Sequence, residues 1–96
     1  MFTSEHFQIG QVVLTRNVND MVAYETPFYM FVAESMERHC RCDWGDLCED
    51  DKKTNNKALE KGYRLLSAYE HPELPKIWII TEADRSVTTV LFPDEY

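Results

Sequence analysis

Five carboxylates and two arginines supply most of the chemistry this 96-residue chain can offer. Asp43, Asp46 and Asp51 fall in one acidic stretch, and Glu82 and Asp84 sit beside Arg85 in another. Clustered carboxylates bind divalent cations through oxygen and, with Arg64 or Arg85 alongside, can perform acid/base or metal-assisted hydrolysis. No Glu-x-Lys pairing of the nuclease kind lies near them. The competing account is structural: Arg85 pairs with Asp43, Asp46 or Asp51 and locks the 82–86 loop to a helix, while Asp84 and Ser86 bond local backbone. No catalytic residue and no cofactor is assigned from these residues.

His39, Cys40, Cys42 and Cys48 are enough ligands for zinc, but their spacing lacks the paired Cys-x-x-Cys knuckles that fix a tetrahedral site, so no metal is assigned. Three cysteines and no basic, apolar leader favour reduced thiols over a disulfide framework. With no Ser or activated Cys nucleophile nearby, His39 is expected to pack at a helix end or bond the 43–46 turn. Cys48, alongside Trp44 and Leu47, reads as a small core residue.

The elements that must position these groups follow from pattern. A β-branched run over 7–15 predicts a first strand, and Asn17, Asn19 or Asp20 can cap a brief helix over 18–24. Thr26 and Pro27 open a longer helix to about His39. Phe28, Phe31, Val32, Ser35, Met36 and His39 recur at three and four and form its core stripe. Tyr29, Met30 and Ala33 widen the apolar surface, for which burial within the monomer is expected and contact with a second chain is the alternative.

Asp43 is expected to cap a further helix running through Asp46 and Asp51 to Gly62, acidic in its first turns and basic in its last. On its buried face, Asp51 and Asn55 stack four residues apart among Trp44, Leu47, Cys48, Ala58 and Leu59, where they bond each other or tie the helix to strand or loop backbone, with a ligand or catalytic role as the competing reading. Strands over 63–69, 76–81 and 87–92 predict an antiparallel meander. Ile77, Ile79 and Thr81 share one face and Trp78 and Ile80 the other, so the middle strand is expected to be covered on both sides, by the helices and by the N-terminal segment or a partner. The fold class is therefore one α+β domain over residues 1–96. Its antiparallel sheet has three to four strands, the C-terminal meander plus the N-terminal strand, packed with two main helices.

Composition narrows function less sharply. Hydrophobic residues at 44% and charged residues at 28% suit a globular domain, and no apolar stretch approaches a membrane span. A cytoplasmic location and no membrane contact are the expectation. Seventeen acidic against ten basic residues give a net charge of -7, which repels phosphate backbones and suits a protein partner with a basic surface. The chain is expected to be a monomer or a small homo-oligomer.

Several segments carry a resemblance. They are Asp43-Trp-Gly-Asp46, Glu49-Asp50-Asp51 with Asn55, Ala58-Leu59, the run from Gly62 to Tyr69, and Ile77-Trp-Ile-Ile-Thr-Glu-Ala-Asp-Arg-Ser86. Together with the closing Leu-Phe-Pro-Asp-Glu-Tyr96, they resemble small proteins of bacterial plasmids and conjugative elements commonly labelled "plasmid-related protein". The likeness covers roughly residues 39–96 and marks a family without naming a reaction. Some relatives are labelled type I restriction endonuclease subunit M, which would imply a methyltransferase. Gly10, Gly45 and Gly62 form no Gly-rich cofactor loop, so that activity is not carried over. The cysteines and the first 38 residues lie outside the family's pattern, and an element-specific function could reside there.

Two readings of function remain. The first is a mobile-element accessory protein acting as an acidic protein-interaction module, with anti-defence action or DNA mimicry as its concrete form. Its binding residues would come from Asp43, Trp44, Asp46, Asp51, Asn55, Arg64, Glu82, Asp84 and Arg85. The alternative is a small metal-dependent hydrolase or nuclease built on the clustered carboxylates.

Overall fold

A computed structural model describes residues 2–96. The chain runs β1 (Gln11–Leu14), α1 (Arg16–Tyr24), α2 (Thr26–Cys40), α3 (Glu49–Lys61), β2 (Leu65–Tyr69), β3 (Ile77–Thr81) and β4 (Val87–Leu91), then a 3-10 turn at Pro93–Glu95. The four strands lie in the order β1-β4-β3-β2. This is the expected α+β architecture, with β2, β3 and β4 as an antiparallel meander. One feature differs: β1 runs parallel to β4, with Val12 beside Thr88 and Leu14 beside Val90. Three helices separate β1 from the meander, so no tight turn fixes its direction.

Local chemistry explains the helix boundaries. The Thr15 hydroxyl accepts from the Val18 N–H and opens α1, two residues before Asn17, the first of the caps expected among Asn17, Asn19 and Asp20. Glu25 ends α1 and begins α2, leaving Thr26 inside the helix rather than capping it. The two helices therefore meet at a single extended residue. α3 begins at Glu49, six residues later than Asp43. Gly45 is left-handed at φ 77°, a conformation no α-helix contains, and Cys42 is also left-handed at φ 62°. Residues 43–48 form a connecting arm, and Cys48 on it is exposed rather than core.

Strand alternation places Leu65, Ser67, Tyr69, Ile77, Ile79, Thr81, Thr88 and Val90 on one face. The expected α2 stripe covers it, and Phe28, Phe31, Val32, Ser35, Met36 and His39 are all buried. The N-terminal segment packs on this same side: Phe7 meets the His39 ring edge-on at 5.5 Å, and the Ile9 carbonyl accepts from Thr88. It does not cover the opposite face. There Trp78 is half-buried against Tyr96 at 5.8 Å, and the Arg64 guanidinium lies over Tyr96 at 5.1 Å.

Candidate functional site

Most of the residues singled out for chemistry hold the fold together. Asp43 takes a two-point contact from Arg38, with Nε to Oδ2 at 2.8 Å and Nη2 to Oδ1 at 3.2 Å. That pairing holds the Asp43 carboxyl below its ordinary range. Arg38 also stacks over Tyr69 at 4.9 Å, while the Tyr69 hydroxyl donates to the Asp43 carbonyl at 2.7 Å. Trp44 is buried beneath α3 and donates its indole N–H to Asn56 at 2.9 Å. Asp46 accepts the Glu70 N–H at 2.8 Å.

These contacts close the outer edge of β2. Ala68 donates to the Trp44 carbonyl and accepts from the Asp46 N–H, at 3.2 and 2.7 Å. Asn55, buried on α3, bonds both the N–H and the carbonyl of Leu66. Asn55 thus ties the helix to strand backbone. Asp51 does not share that role, because it lies in the exposed first turn of α3.

Arg85 forms the expected lock between hairpin and helix, but through carbonyls rather than carboxylates. Its guanidinium donates to Tyr63 and Glu82 carbonyls at 2.8 and 3.1 Å and to the Ala58 carbonyl at 3.4 Å. Ala58 lies in the last turn of α3, and its carbonyl also accepts the Gly62 and Tyr63 N–H groups; the negative end of the helix dipole favours a cation there. Asp84 is occupied within its own loop by the Ser86 N–H and hydroxyl, at 3.0 and 2.6 Å. Among the described residues, no three His, Cys, Asp and Glu side chains converge to hold a metal.

A buried polar chain that sequence reasoning missed runs through the core. His39 Nδ1 contacts Ser67 at 2.6 Å and Nε2 contacts Thr81 at 2.9 Å; Thr81 contacts Thr88 at 2.8 Å, and Thr88 donates to the Ile9 carbonyl at 2.6 Å. Its proton positions follow by elimination. A carbonyl only accepts, so the Thr88 proton points to Ile9; Thr81 must then donate to Thr88, Nε2–H to Thr81, and Ser67 to Nδ1. His39 is a neutral Nε2–H tautomer with both nitrogens occupied. Burial, with a smaller contribution from the Arg85 charge, pushes its pKa down to about 3. Packing is its role, on sheet hydroxyls rather than at the 43–46 turn.

The open surface lies on the other side of the molecule. Tyr29 and Met30 on α2 are 55% and 63% exposed and Tyr24 at the end of α1 is 87% exposed, so burial within the monomer does not apply to this widened apolar face. Beside it a groove of about 260 Å³ runs between β1 and α2. Val12 and Leu14 line one side, Tyr29, Ala33 and Met36 the other. Asp20, Glu25, Glu34 and Glu37 on the same helical pair are exposed. The signal available in sequence was that apolar widening of α2, together with where the charge lies. Residues 1–51 hold ten acids and three bases, whereas residues 52–96 hold seven of each. No family model, curated protein or solved structure matches this chain.

Proposed function

We propose that this chain is an acidic protein-interaction module that engages a basic surface of a partner protein through the α1–α2 face. One observation carries the reading: the α1–α2 pair exposes Tyr24, Tyr29 and Met30 together with the carboxylates of Asp20, Glu25, Glu34 and Glu37. Aromatic and Met side chains supply contact area, and the surrounding carboxylates select and steer a basic partner. The resemblance to proteins of plasmids and conjugative elements makes a mobile-element accessory role the natural setting. Its concrete form is anti-defence: an acidic face that occupies the DNA-binding surface of a nuclease.

The test is capture from native-host lysate with wild-type protein and a variant carrying Asp20→Asn, Glu25→Gln, Glu34→Gln and Glu37→Gln. These exposed carboxylates are chosen because Asp43 and Asp46 are fold contacts, whose loss would confound the result. A basic protein retained by wild type, released by salt and absent with the variant is the expected outcome. Equal capture by both proteins, or no basic protein captured, refutes the reading.

A further inference from the structure

The two edges of the sheet differ in kind. The outward backbone groups of β2 are met by Asn55 at Leu66 and by Trp44 and Asp46 at Ala68. On the opposite edge, Gln11 and Thr15 donate to the Ser86 and Val90 carbonyls at 3.0 and 3.1 Å. By alternation, Val12 and Leu14 turn their N–H and C=O groups away from the sheet. Outside the ladder with β4, no backbone hydrogen bond to either residue occurs among the described residues. The sequence Gln-Val-Val-Leu of β1 has no proline and no charge, the usual guards of an exposed edge.

The groove lies where an added strand would need it. A strand beside β1 would direct alternate side chains toward α2, against Tyr29 and Ala33, with Phe2 lining the same groove. Glu25, Tyr29, Ala33 and Glu37 are spaced four apart and form one stripe, which puts a carboxylate at each end of the apolar wall. Arg41 follows one turn beyond Glu37. A segment with apolar alternation and basic ends matches this pattern.

We propose that the β1 edge accepts an extended segment of a basic protein as a fifth strand, with alternate apolar side chains in the groove and Lys or Arg beside Glu25 and Glu37. The inference rests on the acidic-module reading and gives it a site and a binding mode, strand addition. Backbone pairing supplies affinity, and the groove and its acidic ends supply selection. A second copy of this chain fits less well, because two molecules of net charge -7 repel.

The test uses a ten-residue peptide alternating valine and threonine with lysine at both ends, and its glutamate-ended counterpart, followed by NMR titration and amide hydrogen exchange. The lysine-ended peptide is expected to bind at least tenfold tighter, and Glu25→Gln with Glu37→Gln to erase that preference. At a hundred times its Kd, exchange at the Val12 and Leu14 amides should slow by up to about 100-fold. Ala33→Arg, a substitution on a half-buried helix position, should block binding while leaving the fold intact. Binding without protection of Val12 and Leu14 overturns strand addition and leaves the acidic-module reading standing. Failure of the lysine-ended peptide to bind also overturns strand addition, and the lysate capture then decides the broader reading. Protection of both amides in peptide-free protein, with a dimer in sedimentation, assigns the edge to a second copy and likewise overturns it.

Discussion

The side chain of Asn55 pairs with the backbone of Leu66 as a neighbouring strand would: Oδ1 accepts the Leu66 N–H at 3.1 Å, and Nδ2 donates to the Leu66 carbonyl. Only Asn55 and Ala58 of α3 are buried, so this helix has little apolar surface with which to hold the sheet. Its attachment depends on polar contacts at both ends of its inner face. Asn55 fixes one, and Arg85 at the Ala58 and Tyr63 carbonyls fixes the other.

Asn55→Ala leaves two backbone groups of Leu66 without partners, each of which costs about 1–3 kcal/mol when cut off from water. A loss of about 2–4 kcal/mol in urea unfolding, with unchanged m, is expected. Asn55→Asp should fall in the same range, because a carboxylate can accept the N–H but repels the carbonyl that Asn55 now bonds. A loss below about 0.5 kcal/mol for Asn55→Ala, the size of an ordinary surface substitution, would show that water replaces the amide at no cost.

His39 should make the protein acid-sensitive well above the carboxylate range. Its folded pKa is lowered to about 3 from an ordinary 6.5, so the unfolded chain binds the extra proton in that interval. Stability is therefore full above about pH 6.5 and falls as pH drops toward 3, with a limiting slope of about 1.4 kcal/mol per pH unit. Asp43, Asp84 and Glu95 are also lowered, but they act below their ordinary values of 3.8 to 4.5. The interval from pH 6.5 to 4.5 thus belongs to His39. Denaturant midpoints across it should slope in wild type and flatten in His39→Leu, whatever that variant's absolute stability; parallel slopes would show that His39 is not the group responsible.

How much of this was legible in sequence depends on how far each signal reaches along the chain. The α2 stripe from Phe28 to His39 was readable because helix periodicity is local, and the meander because its three strands adjoin. Asn55 was readable as a tie to strand backbone, though not its partner Leu66. The arm over 43–48 reads as helix in sequence because its carboxylates look like a helix start; the left-handed Gly45 and its bridge to Ala68 show otherwise. The carboxylate partners expected for Arg85 follow from charge alone, while its guanidinium reaches the backbone carbonyls of Ala58 and Tyr63 around the end of α3. The free edge of β1 was invisible, since strand order depends on pairings between distant segments.

Gly45 and Gly62 form a controlled pair for the arm itself. Both are left-handed, at φ 77° and 78°, so replacement by Ala costs each about 1–2 kcal/mol of backbone strain. Their surroundings differ completely. A Cβ at Gly62 meets nothing within 4 Å, whereas one at Gly45 runs into the Ala68 carbonyl oxygen and stands 2.7 Å from the Tyr69 ring. Relief would require the arm to lift from β2, breaking the Trp44 and Asp46 bonds to Ala68 and exposing the strand edge. Gly62→Ala is expected to stay near the strain cost alone, and Gly45→Ala to lose about 1–3 kcal/mol more, the usual cost of overpacking on top of the backbone term. Thermal unfolding of the two variants, with exchange at the Ala68 amide as a local readout, checks this. Equal destabilisation would mean that the arm docks loosely and that β2, like β1, presents an edge open to pairing.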